Sequence, residues 1–460
     1  MLFNSLDFAI FLPTVFILYW FVLNGNLKLQ NLLIVLSSYV FYAWWDWRFL
    51  SLIIFSTLVD YFVGQKLSHE QQTSKRKILL WISILVNIGF LGFFKYYNFF
   101  IDNFIDAFSL FGLQIKANSL NIILPVGISF YTFQTLSYTI DVYKKKLEPS
   151  QDFIAFSAFV CFFPQLVAGP IERATNLLPQ FYKKRIFLYE KAVDGMRQIL
   201  WGLFKKIVIA DNCAEFANQI FDNSADMNGS TLFVGAIFFA FQIYGDFSGY
   251  SDIAIGTSRL FGFDLKQNFA TPYFSRDIAE FWRRWHISLS TWFRDYLYIP
   301  IGGSRGGIWM KVRNTFVIFL VSGFWHGANW TFIFWGALNA IYFLPLLLTK
   351  NNRNNIGIIA ENKLLPSIKE VFQILSTFLL TVFAWIFFRA ENLTHAFSYI
   401  GAIFSESLFK IPYFENGTNS FSIIIITIIF LIIDVFILFV FKYPYSLDGL
   451  VGLIPNINIF

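Results

Sequence analysis

Charge is what this 460-residue chain has least of. Asp, Glu, Lys and Arg make up 14% of it, against roughly 25% in soluble domains, while 56% is hydrophobic and 21% aromatic. A chain so poor in charge reads as an integral membrane protein. Cysteine is nearly absent: Cys161, in an apolar run, and Cys213, in what reads as a polar loop, are too few for a disulfide framework or a thiolate metal site. Only four histidines occur, with no HExxH pair and no close His/Cys cluster, so no metal is expected. Fixed-period repeats and low-complexity tracts are missing as well, and no nucleic-acid partner is expected.

Apolar runs fill the space that charge leaves. They cover Phe8–Leu23, Leu32–Trp45, Leu50–Val63, Ile78–Phe94, Phe153–Val167, Leu232–Ile243, Asn314–Thr349, Val371–Phe388 and Phe421–Phe441. A ~30 Å hydrocarbon core needs about 20 residues of helix, and several runs are shorter or interrupted. The expectation is an all-α polytopic membrane protein with about ten to twelve transmembrane helices, some tilted or broken. The first run lacks a basic leader and a small-residue cleavage site, so it reads as a retained helix. Lys and Arg in the loops around 65–77, 144–146, 173–206 and 259–313 mark the cytoplasmic side, whereas Asp211–Ser230, acidic and without Lys or Arg, suits the opposite face.

FWRRWHISLSTWFRDYLYIP, residues 281–300, is too aromatic for a plain loop. At helical spacing Trp282, Trp285, His286, Leu289 and Phe293 share one stripe, and Arg283, Arg284 and Arg294 point elsewhere. That pattern predicts an amphipathic interfacial helix whose arginines face lipid phosphate or an anionic ligand. The GGSRGG turn at 302–307 lacks the strand and helix of a phosphate loop.

From Asn314 to Thr349 there is no Asp, Glu, Lys or Arg, yet His326 sits in the run. As helix the run would measure about 54 Å, more than one crossing and less than two. At least one arm should therefore be short, with a break near Gly323, Gly327 and Asn329. Broken backbone at membrane depth is tolerated where it lines a cavity, which is where His326 is expected. An intramembrane ionisable group points to function, the alternative being a neutral histidine bonded to a neighbouring helix. His69 and His395 read as solvated. His286, embedded among aromatics, is the one placed to converge with His326. Asp246 and Asp252 read as polar ties between helices or as caps of a segment beginning near Ser251.

WRRWHISLSTWFRDYLYIPIGG followed by SGFWHGANWTFIFWG closely resembles the membrane-bound O-acyltransferase family, in its bacterial branch that acts in alginate O-acetylation. LPVGISFYTFQTLSYTIDVY at 124–143, FFPQLVAGPIER at 162–173 and YGDFSGYSDIAIGTSRLFGFDL at 244–265 agree. The resemblance implies one domain over residues 1–460, most similar over 1–440, with helices in a ring around a central tunnel. It implies a multi-pass protein of the inner or cytoplasmic membrane, in contact with membrane lipid. It also implies transfer of acetyl from a cytoplasmic thioester toward an exported polysaccharide, with an extracytoplasmic acetyltransferase-like protein or a polysaccharide synthase complex as partner. Acetyl-CoA is then the donor substrate, and no tightly bound cofactor is expected. By the same likeness His326 matches the family's essential histidine and His286 its second one.

The chemistry asks for the same groups. Acyl transfer from thioester to hydroxyl needs a base that titrates near neutrality, and imidazole is the usual choice. His326 suits that role. Asn329, Trp325 and Trp330 are candidate oxyanion donors, with His286 supporting the oxyanion or orienting the thioester. Arg283 and Arg284 are candidates for holding an anionic donor. Direct transfer or a short relay without metal is favoured, with a covalent acyl-histidine as the remaining alternative. Two alternatives stand beside this reading: D-alanyl transfer from a carrier protein to teichoic acid, and a lipid-linked sugar flippase. A mere scaffold would leave His326 without a purpose.

Overall fold

The computed structural model describes residues 1–111, 120–357, 359–360 and 365–412, and among these every regular element is a helix. Two compact units emerge: Met1–Ile199 with Asp252–Lys266, and Leu200–Ser251 with the chain from Gln267 onward. Among the described residues, five helical segments are long and apolar enough to cross a membrane: Leu27–His69, Thr73–Ser109, Gly229–Leu260, Trp330–Leu348 and Ile368–Arg389. Leu6–Val22 and Phe153–Leu166 are shorter apolar helices. The protein is thus an all-α polytopic membrane protein. The run Phe421–Phe441 lies outside the described residues.

In the first unit the apolar helices are tied by polar groups rather than by apolar contact alone, as expected where lipid is as apolar as the side chains. Asp60, fully buried, accepts from Asn87 at 2.8 Å, from Thr139 at 3.0 Å and from Ser83. These bonds join three helices, Leu50–His69, Thr73–Leu91 and Ile128–Tyr143.

Three sequence expectations change here. The helix Gly229–Leu260 runs unbroken through Asp246 and Asp252, so neither caps a new segment. Both are polar ties: Lys206 Nζ donates to Asp246 at 2.6 Å, and Gln198 Nε2 donates to Asp252 at 2.9 Å. Cys213 is in no loop, because Asp211–Asp222 is an amphipathic helix with Cys213, Phe216, Ala217 and Ile220 on its buried face. At 2% exposure its thiol is no handle for a reagent. His395 is only partly solvated, lying in the helix Leu393–Ile403 with Nε2 3.0 Å from Ser224 Oγ.

The second unit's main feature is a helical hairpin. Ile308–His326 and Trp330–Leu348 are 19 residues each, about 28 Å of helix. No arm is short, because the first helix begins at Ile308 and carries Lys311 and Arg313 ahead of the uncharged run. The break falls at Gly327–Asn329, within the region expected. Gly323 and Gly336 bring the two backbones together: a Cβ on Gly323 would strike the Phe332 carbonyl, and one on Gly336 the Phe319 carbonyl. Small residues at a helix crossing permit this approach.

Candidate active site

The site lies in the second unit, at two interruptions of the helical backbone. The first is at His286. Asp277 caps the helix Ile278–Arg284 by accepting from Glu280 N at 2.7 Å. One turn further the helix stops, since Trp285 is extended and His286 takes φ 45°, ψ 55°. A second helix, Ile287–Phe293, follows at once. The expected single helix across 281–300 is therefore two short helices with His286 at the elbow. Asn268 imposes this from outside. Its carbonyl accepts Ile287 N at 2.8 Å and its Oδ1 accepts Ser288 N at 3.2 Å and Ser288 Oγ at 2.8 Å. Ala270 N meanwhile donates to Arg284 O at 2.9 Å. The left-handed region is disfavoured for a side chain with Cβ, and its occupation often marks a functional position.

His286 is 2% exposed, with Phe269 and Phe247 rings at 5.9 and 6.2 Å. Burial pushes its imidazole down to about 3, so it is neutral at physiological pH.

His326 is the last residue of its helix and is half-buried. Its ring stands edge-on to three others: Trp325 at 4.8 Å, Trp335 at 5.2 Å and Phe388 at 5.2 Å. Trp325 also reaches His286, ring to ring at 6.5 Å. The two histidines, 40 residues apart in sequence, thus share one tryptophan.

The remaining candidates divide. Trp325 is buried between the imidazoles. Asn329 caps the helix Trp330–Leu348, accepting from Thr331 N at 3.0 Å and donating to Glu391 O at 2.8 Å. Trp330 is 53% exposed. Arg284 donates to buried Glu280 at 2.7 Å, and Arg276 grips the same carboxylate at 3.0 Å. Arg283 instead donates to the Asn352 and Asn355 carbonyls at 2.9 and 2.8 Å. It also lines a largely apolar cavity of about 550 Å³, with Arg294 and Arg353 among its polar walls. Neither histidine lines that cavity, but their neighbours do: Ile287 follows His286, and Ser322 lies one turn before His326.

Residue-by-residue reading missed Asn268, Glu280, Trp335 and Phe388. For Glu280 a signal existed, since it stands four residues from both Arg276 and Arg284 and opposite charges at that spacing pair on a helix. For Asn268 no local signal exists.

Long apolar helices enclosing two imidazoles in an aromatic cluster define an integral membrane protein with the groups for proton transfer. The model of the MBOAT, membrane-bound O-acyltransferase family, matches residues 146–379. The protein named "Probable alginate O-acetylase AlgI" of Pseudomonas aeruginosa is 41% identical over 88% of this chain and 75% of its own length. The peptidoglycan O-acetyltransferase of Helicobacter pylori is 37% identical over 86% of this chain and 78% of its own. A teichoic acid D-alanyltransferase of Streptococcus thermophilus is 31% identical over 47% of this chain and 55% of its own. The chain belongs to the membrane-bound O-acyltransferase family, and it is an O-acetyltransferase.

Proposed function

We propose that this enzyme takes acetyl from a cytoplasmic thioester, acetyl-CoA, and passes it across the inner or cytoplasmic membrane toward an exported polysaccharide. It does so directly or through an extracytoplasmic acetyltransferase-like partner or a polysaccharide synthase complex. The observation that carries this reading is the pair of imidazoles on Trp325 beside the cavity that Arg283 lines. About 550 Å³ lies within the range of small-molecule sites. Its apolar walls suit a thioester arm, and its arginines suit the phosphates of coenzyme A.

In the proposed reaction a ring nitrogen of His326 takes the proton of the acceptor hydroxyl as the oxygen bonds to the acetyl carbonyl carbon. The C–S bond breaks, the thiolate of coenzyme A leaves, and the proton is returned to it. His286, neutral and fixed at its elbow, orients the carbonyl. Among the oxyanion candidates Trp325 has the best position, because the Asn329 amide nitrogen donates to Glu391 O and Trp330 faces outward. The family likeness supports a ring of helices around a tunnel joining donor and acceptor sides. Acetyl is favoured over D-alanyl because the acetyl-transferring relatives match far more of the chain.

Protein purified in detergent and given radiolabelled acetyl-CoA with an acceptor oligosaccharide should release coenzyme A and label the sugar. D-alanyl carrier protein should not substitute. A preparation that moves lipid-linked sugar and leaves acetyl-CoA intact would be a flippase, and the reading would fail.

A further inference from the structure

The first unit holds a buried cation that acetyl transfer does not use. Arg185 is 6% exposed. Its Nη2 donates to Asn31 Oδ1 at 2.7 Å and to Gln30 Oε1 at 3.4 Å, both neutral amides. Among the described residues Nε and Nη1 have no hydrogen-bond partner. The guanidinium lies over the rings of Phe263 at 4.9 Å and Tyr19 at 5.5 Å. Aromatic faces offset part of a desolvated charge, but guanidinium does not deprotonate, and a buried ion without a counter-ion is costly.

The space beside Arg185 shows what is missing. It is a partly open cavity of about 480 Å³, also lined by Lys183, Lys184, Lys191 and Arg259. Two of these cations are neutralised internally: Lys191 pairs with Asp264 at 3.1 Å, and Arg259 with Asp194. Lys183 and Lys184 are exposed, and among the described residues no carboxylate pairs with them or with Arg185. Three positive charges therefore face one cavity whose lining carboxylate, Asp264, is already held by Lys191.

The other wall is apolar. Trp20, anchored by its Nε1 donating to Leu260 O at 2.8 Å, meets Phe187 edge-on at 5.5 Å. Ile186 and Leu188 are 71% and 51% exposed. A soluble anion has no use for such a wall, whereas a basic run, Lys183–Arg185, followed directly by exposed aliphatic and aromatic residues suits the boundary between headgroups and acyl chains.

We propose that this pocket binds the phosphodiester headgroup of an anionic phospholipid. Arg185, Lys183 and Lys184 hold the phosphate oxygens, and Trp20, Phe187 and Leu188 pack against the acyl chains.

The test is native mass spectrometry of the full-length protein, delipidated in detergent and titrated with phosphatidylglycerol, phosphatidylcholine or coenzyme A. Phosphatidylglycerol should be retained in preference to phosphatidylcholine, and coenzyme A should not displace it. Lys183→Gln with Lys184→Gln should weaken retention roughly tenfold to thirtyfold, as expected for two basic residues near an anionic headgroup. Because both lysines are exposed, that variant tests binding without disturbing the core, while Arg185→Lys should keep partial retention and Arg185→Gln lose it. Equal retention by parent and lysine variant, equal binding of phosphatidylcholine, or displacement by coenzyme A that the lysine variant abolishes would each overturn the proposal, the last by assigning the phosphate to the acetyl donor.

Discussion

The backbone breaks after His326 and it breaks at His286, but different forces hold the two turns. After His326 the turn is local. Gly327 is extended and lets the Phe332 ring fill the space a Cβ would take, and Asn329 caps the next helix two residues on. At His286 the turn is imposed from a distance, by Asn268 reaching across to Ile287 and Ser288. There the histidine itself carries the left-handed conformation, a strain of about 1–2 kcal/mol for a residue with Cβ. One imidazole thus sits at a relaxed helix end, half-buried. The other is sealed, neutral and clamped. A group that must exchange protons is served by the first setting, and a group that must hold still is served by the second.

The largest effect should come from breaking that division of labour directly. His326→Gln keeps size and hydrogen bonding but cannot act as a base at neutral pH, so acetyl-CoA turnover should drop by about 10²–10⁴ with the thermal melt unchanged. His286→Ala should lose less. If a well-folded His326→Gln kept more than about a third of parent turnover, or if the two variants ranked the other way, the roles would be reversed or wrong.

A pH titration of stability sharpens the contrast next. Folding lowers the His286 pKa from 6.5 to about 3. The folded protein then binds fewer protons than the unfolded chain between those values, so stability is lost as pH falls below 6.5. By pH 5 the loss from this one group should reach about 2 kcal/mol. His286→Gln should flatten the fall in melting temperature between pH 7.5 and 5, and an unaltered slope would show that His286 is not sealed in the native state.

Removing the supports should separate a distant clamp from a local cap. Asn268→Ala removes the buried Oδ1 that accepts from Ser288 N and Oγ and should cost about 2 kcal/mol in denaturant unfolding. Asn329→Ala removes a helix cap and should cost about 1 kcal/mol. Activity should follow Asn268 more steeply, since that change removes the side-chain bonds to Ser288 that help hold the elbow at His286, even though the Asn268 carbonyl still accepts Ile287 N.

The smallest effect concerns the arginines. Arg283→Gln should raise the KM for acetyl-CoA several-fold with kcat little changed. Arg284→Gln should act mainly on stability, because Arg284 is bound to Glu280. Equal KM increases would place both side chains on the donor.

Much of the comparison was legible in the sequence, though unevenly. The break after His326 could be read because its causes, Gly327 and Asn329, are neighbours of the histidine. The break at His286 could not, since periodicity across 281–300 is that of one helix and the residue that interrupts it lies 18 positions upstream of His286. Arginine's affinity for phosphate made Arg283 and Arg284 alike as donor candidates, whereas adjacent residues on a helix point about 100° apart and here meet different partners. The short arm expected between 314 and 349 failed for a related reason: charge was taken to mark a helix end, but Lys311 and Arg313 lie inside the helix. Cys213 was misplaced because an acidic, polar stretch hid an amphipathic helix with a buried face.

The glycines of the hairpin bear on how this enzyme can vary over generations. At Gly323 and Gly336 an added methyl would meet the main chain of the opposite helix, and at Gly327 it would meet the Phe332 ring. Gly323 and Gly336 should be closed to drift, because backbone cannot step aside as a flexible side chain can, whereas Gly327 is held only as long as the Phe332 ring stays against it. The aromatic residues packed around them can be traded for others of similar bulk. Lineages can then diverge in what they acetylate while inheriting the same hinge of bare backbone, and a saturation library should find its emptiest columns at residues with no side chain to lose.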